Sequence, residues 1–178
     1  MSRCDAHAYF SNVSMVGKTR TTPAILGSMD VGRAVIDQVL NRGRNALNTK
    51  IFMQAYSRIL ADCWHERYSW LVKVDIDAIL VVHRLHALLA TFSPSEPVVL
   101  KATTEQTDPL NRSLTGALIP VSQAAFTLFA RSAAWCMRSV EHERIAEDFW
   151  FGLCLDALGV RQVLTPALCR FDWTPERP

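Results

Sequence analysis

The stretch Trp70–Leu80, "WLVKVDIDAIL", sets a strand-like apolar run directly against two acids one residue apart, Asp75 and Asp77. Carboxylates are costly to desolvate, so a pair at a strand end faces a cavity, solvent or a cation rather than the core. In an extended backbone, residues two apart share a face, which puts both carboxylates on one side and Ile76 on the other. Two oxygen donors on one face suit Mg²⁺ or Mn²⁺, hard cations that keep positions open for substrate phosphates. The same spacing also fits two loop acids at the start of a helix beginning near Leu80, where the helix dipole favours negative charge.

Working outward, "ILVVHRLHALLATF" puts Val81, Leu85, Leu88 and Phe92 on one helical face, and "SPSEP" ends that helix. Upstream, Ile51, Ala55, Ile59 and Cys63, with Phe52, Tyr56 and Leu60 beside them, repeat at helical period, with Asn48 as N-cap. "AHAYFS" (6–11) reads as a short strand, and a Gly-, Thr- and Arg-rich loop follows to about Asn45, with a short helix near Gly32–Leu40. Downstream, "VVLKA" (98–102) and "LTGALIPVS" read as strands, the second with a glycine, Gly116, where a backbone or ligand can approach closely. Ser122 caps a helix through Ala125, Phe126, Phe129, Ala133 and Met137. "DFWFGLCLDAL" is a helix with Gly159 just past its end, "VRQVL" is a last strand, and 174–178 form a frayed tail. Strands alternating with helices predict an α/β sheet, and no repeat or linker divides the 178 residues.

Composition narrows the function classes. The formal charge of +2 comes from scattered residues, with no basic stripe interleaved with aromatics, so nucleic acid is not an expected partner. Charged residues interrupt every long apolar run, so no transmembrane segment is expected, and "MSRCDAHAYFSN" lacks the apolar region of a secretory signal. The five cysteines form no CxxC spacing, which argues against zinc. They allow two disulfides and one free thiol in an oxidising compartment, or buried thiols in a reducing one.

A second acidic pair, Glu147 and Asp148, opens the helix of "AEDFWFGLCL". Acids in a first helical turn are favoured by the dipole and need no further reason, but Asp148 is also a candidate general base. His83 and His86 read as exposed or capping helix residues, and Trp70, Trp135, Trp150 and Trp173 as core or pocket-wall aromatics, Trp150 lying two residues after Asp148.

Three blocks in order carry a resemblance: "YSWLVKVDIDAILVVHRLHALL", "GALIPVSQAAF" and "CMRSVEHERIAEDFWFGLCLDALGV". Together they resemble fringe-like and beta-1,3-galactosyltransferase-like glycosyltransferases. The nearest branch is that of the core-one galactosyltransferases, in its protist and algal form. "CDAHAYFSN" resembles a strand of the same branch, so the likeness runs from about Cys4 to Cys169, and the first donor-binding strand is not evident upstream.

The resemblance implies a GT-A fold across residues 1–178, a nucleotide-sugar-binding mixed sheet flanked by helices. It implies an inverting transferase that moves a hexose or N-acetylhexosamine from a UDP-sugar to a glycan or glycoprotein acceptor. Asp75 and Asp77 match the acidic motif that binds Mn²⁺ or Mg²⁺ and the donor, Lys73 beside them is a donor contact, and Asp172 stands where the family has a late metal ligand. Asp148 matches the base. Cys136 would pair with Cys154, and the location would be the Golgi or secretory-pathway lumen, with any membrane anchor upstream. The competing reading is a catalytically inactive binding or scaffold module, suggested by Ile76 and Ala78 in the acidic motif. A phosphoesterase or nucleotidyltransferase would want a further acid on a neighbouring strand, and "VVLKA" and "LTGALIPVS" carry none.

Overall fold

A computed structural model describes residues 35–37, 45–75, 78–102, 114, 116–143 and 145–168. Two short antiparallel strands, β1 (Val35–Asp37) and β2 (Asn45–Leu47), lead into helix α1 (Thr49–Ala61) and the single turn α2 (Trp64–Arg67). Strand β3 (Trp70–Val74), helix α3 (Val82–Leu89) and strands β4 (Val98–Lys101) and β5 (Leu118–Ser122) follow. Helices α4 (Gln123–Ser139) and α5 (Glu147–Ala157) and strand β6 (Arg161–Leu164) complete the order. The expected short helix near 32–40 is corrected by β1. Val35 and Ile36 are β-branched residues that lose rotamer freedom in a helix, and here they pair with Leu47 and Ala46 respectively. The expected strand at 6–11 lies outside the described residues.

The main sheet is mixed, in the order β3-β5-β4-β6. β3 and β4 run antiparallel to β5, whereas β4 and β6 are parallel. Burial follows position: β4 and β5 are buried at every residue, which their unbroken apolar runs require, while the edge strand β6 leaves Arg161 and Leu164 exposed. Pro120 stands inside the central strand β5, where a missing N–H is a liability. The β4–β5 ladder accordingly holds one registered pair, Val99↔Val121, next to it.

Helix α5 is apolar nearly all round and lies inside the molecule, with Trp150, Phe151, Cys154 and Leu155 all fully buried. Trp150 is therefore core, and its proximity in sequence to Asp148 does not bring it to the surface. Trp135 instead lies 44% exposed on α4, so it is not core. Tyr56 of α1 stacks on Phe151 at 4.7 Å and meets Phe129 edge-on at 5.5 Å, centring an aromatic cluster between α1, α4 and α5. Emptying Trp150 or Phe151 to alanine costs about 3–5 kcal/mol in such a setting.

Both ends of the late helices follow sequence cues. Ser122 Oγ accepts the Ala125 N–H at 3.2 Å, the expected cap of α4, and also accepts from Val98 N while donating to the Glu96 carbonyl. At the end of α5, Gly159 has φ +74°, and Gly159 N and Val160 N bond back to the carbonyls of Asp156 and Leu155. That is a Schellman stop, which a residue with a Cβ would strain. Cys136 and Cys154, both fully buried, form the disulfide that the resemblance implies, tying α4 to α5.

Candidate active site

The site forms where β3 ends. Asp75 continues the strand ladder by donating its N–H to the Ala117 carbonyl at 3.1 Å, so its side chain leaves the sheet beside the start of β5. Helix α5 brings its first turn to the same place. The two acids come this close to the backbone only because residue 116 is glycine. A Cβ there would lie 3.0 Å from Asp148 Oδ2 and 3.3 Å from Asp75 Oδ2. Both carboxylates thus turn an oxygen toward one narrow cleft, too tight for a methyl group, although β3 and α5 are far apart in the chain.

Each acid's other oxygen is tied. Asp75 Oδ1 pairs with the Lys73 ammonium at 2.6 Å, and Asp148 Oδ1 accepts the Phe149 N–H at 2.8 Å. The alternative role for the acid pair, capping the following helix, is not taken by Asp75. Helix α3 begins at Val82 with Val81 before it, has no side-chain cap and carries no acid in its first turn. Ile79, just past the acidic motif, is 94% exposed.

Beneath the cleft lies a group that sequence reasoning did not single out as functional. Glu147 is 1% exposed, and both of its carboxylate oxygens are engaged: Tyr56 O–H donates to Oε1 at 2.6 Å and Lys73 approaches Oε2 at 3.1 Å. Lys73 also donates to the Gly116 carbonyl at 2.7 Å and sits 4.8 Å above the Phe52 ring. Its ammonium therefore meets three protein acceptors, one for each N–H.

Burial pushes the Glu147 carboxyl above the usual range, opposed by the Lys73 charge and the Tyr56 hydrogen bond. Burial would lower Lys73, but the negative charges of Glu147 and Asp75 outweigh it and raise the ammonium above the ordinary lysine value. The Tyr56 hydroxyl is held well above 10.0, first by burial and then by Glu147. Both Glu147 oxygens thus serve as acceptors, one toward a hydroxyl and one toward an ammonium.

The Asn48 side chain serves this site rather than its own helix. It makes no cap bond in α1; instead its Oδ1 accepts the Glu147 N–H at 3.1 Å, and Thr49 Oγ1 donates to the Ile145 carbonyl at 2.7 Å. The start of α1 thus caps the start of α5.

The family model described as Fringe-like matches residues 34–171, well over half of the chain. The chain belongs to the Fringe-like family. No curated protein matches it. Membership makes this Fringe-like chain one of a group of glycosyltransferases whose members are typically enzymes of the secretory pathway. The mixed sheet with flanking helices agrees with a GT-A-like α/β fold. No described helix is long and apolar enough to cross a membrane.

Of the residues expected to form the site, Asp75, Lys73 and Asp148 come together, while Asp77 and Asp172 lie outside the described residues. No group of three or more His, Cys, Asp or Glu side chains placed to hold a metal occurs among the described residues. What they do contribute is one carboxylate donor of the type hard divalent cations take, on Asp75, whose Oδ2 lies beside Gly116. His83 and His86 are exposed on α3, as read from the sequence.

Proposed function

We propose that this Fringe-like chain is an inverting, metal-dependent glycosyltransferase that moves a hexose or N-acetylhexosamine from a UDP-sugar to a hydroxyl of a glycan or glycoprotein. The observation that carries this reading is the convergence of the Asp75 and Asp148 carboxylates on Gly116. One carboxylate belongs to the acidic motif at a strand end, the other to the first turn of a separate helix, so two chemical tasks can be served on two sides of one space.

Asp75, with Asp77 and Asp172, would hold Mn²⁺ or Mg²⁺. Such an ion, when bound, offsets the negative charge growing on a departing diphosphate, so that no acid is needed to protonate it. Asp148 takes the proton from the acceptor hydroxyl as it attacks the anomeric carbon opposite the leaving group. The Phe149 N–H on Asp148 Oδ1 helps fix that carboxylate, whose Oδ2 lies beside Gly116. A luminal location agrees with the bonded Cys136–Cys154 pair.

The test is a thermal shift with Mn²⁺ and UDP. At a ligand concentration about 100-fold above Kd, stabilisation is about 2.7 kcal/mol. The rise in Tm should vanish in Asp75→Ala and Asp77→Ala and persist in Asp148→Asn, which instead loses transfer. Absence of any shift with every UDP-sugar at millimolar metal leaves the inactive-module reading in its place.

A further inference from the structure

We propose that Lys73 and Glu147 form a positioning clamp: Lys73 acts on Asp75 and Glu147 rather than on the donor phosphates, and Glu147 sets the placement of Asp148. This rests on the glycosyltransferase reading of the site. It changes the role expected for Lys73, a cation beside an acidic motif, from donor contact to internal strut.

The ammonium has no direction left to offer. Its three N–H groups meet Asp75 Oδ1, the Gly116 carbonyl and Glu147 Oε2, and the Phe52 ring covers it from another side. Its side chain is only 10% exposed. A phosphate would have to displace a carboxylate already paired in a low-dielectric setting, an exchange that leaves a buried charge uncompensated.

Glu147 is equally committed. It receives Tyr56 O–H and Lys73 on its two oxygens, and its backbone N–H goes to Asn48 Oδ1. As the first residue of α5 it fixes the rotation of the helix at the turn from which Asp148 projects. The ammonium therefore spans the exit of β3 and the first turn of α5, and it decides which oxygen of Asp75 is left to face Asp148 across the Gly116 cleft. The clamp sets the separation of the two reacting-side carboxylates before any ligand arrives, and preorganisation of this kind is where a small misplacement becomes a large loss in rate.

The experiment compares transfer kinetics of the whole chain with Glu147→Gln, Lys73→Met and the double variant, at a temperature well below each Tm and normalised to folded protein. The clamp predicts that each single variant lowers kcat about 10–100-fold while KM for the UDP-sugar stays within about threefold. The double variant should be no worse than the poorer single one, because both remove the same strut. A donor-contact role predicts the opposite split, KM raised tenfold or more in Lys73→Met with Glu147→Gln near wild type, and that result overturns the clamp. If Lys73→Met does not fold, the near-isosteric Glu147→Gln decides alone: full kcat there refutes the proposal. A wild-type chain inert with every UDP-sugar refutes the transferase reading and the clamp together, whereas an active wild type with an equally active Glu147→Gln refutes only the clamp.

Discussion

Replacing Gly116 by alanine tests the shared cleft with one methyl group. No positive φ marks this glycine, so an L residue meets no backbone strain there and the added Cβ acts alone. That Cβ falls 3.0 Å from Asp148 Oδ2 and 3.3 Å from Asp75 Oδ2, inside ordinary van der Waals contact on two sides at once. Neither carboxylate can swing away cheaply, because Asp148 Oδ1 is bonded to Phe149 N and Asp75 Oδ1 to Lys73. Overpacking of this kind costs about 1–3 kcal/mol, felt by the two groups that matter for catalysis. Converted at about 1.4 kcal/mol per factor of ten, that is a loss of about 5–150-fold in binding or rate. The assay is the affinity for UDP in the presence of Mn²⁺, measured by calorimetry, together with transfer at saturating donor. Affinity and kcat both within twofold of wild type would mean that the two carboxylates do not act across this space.

Three further outcomes follow from the same geometry. Tyr56→Phe should destabilise the fold by about 1.5–3 kcal/mol in denaturant titrations, the range for a hydrogen bond to a charged group, since it strips a donor from buried Glu147. In the native state Tyr56 keeps its proton above pH 10.0 while the unfolded chain gives it up, so wild-type stability falls as pH rises from 10 toward the native value, by up to about 1.4 kcal/mol per pH unit; Tyr56→Phe should flatten that limb. Reducing the Cys136–Cys154 bond, or Cys136→Ser with Cys154→Ser, should lower stability by about 3 kcal/mol, because the bond closes a loop with a separation of 18 residues.

The chain's periodicities and punctuation were enough to place β3, β4, β5, β6 and the helices between them, through apolar runs as in β4 and β5, helical period as in α3, and cap residues used in the ordinary way, as at Ser122 and Gly159. "RAVIDQVL" misleads because its apolar residues at i and i+4 imitate a helix, while the property that decides the outcome, β-branching at Val35 and Ile36, counts only once β2 is there to pair with. The acids of the site were legible as candidates, but Glu147 looked like a dipole residue. Its burial and its bonds to Tyr56 and Lys73 come from contacts across about half the chain, which no local pattern records. Asn48 shows the same limit: the sequence marks it as a cap without saying which helix it caps.

Those long-range bonds also have a consequence for how the molecule comes to exist. Asn48, Thr49 and Tyr56 reach partners 99, 96 and 91 residues further along the chain, so α1 waits, in sequence order, for α5. Non-local pairings of this length carry their loop-closure cost before they return any stability, which makes them late events in folding. The carboxylate of Glu147 is thus enclosed only when a hydroxyl, an ammonium and a side-chain amide oxygen are already in place to receive its first residue. On a ribosome, the two halves of the site are made far apart in time, and Asp75 meets Asp148 beside Gly116 only once α5 has been made.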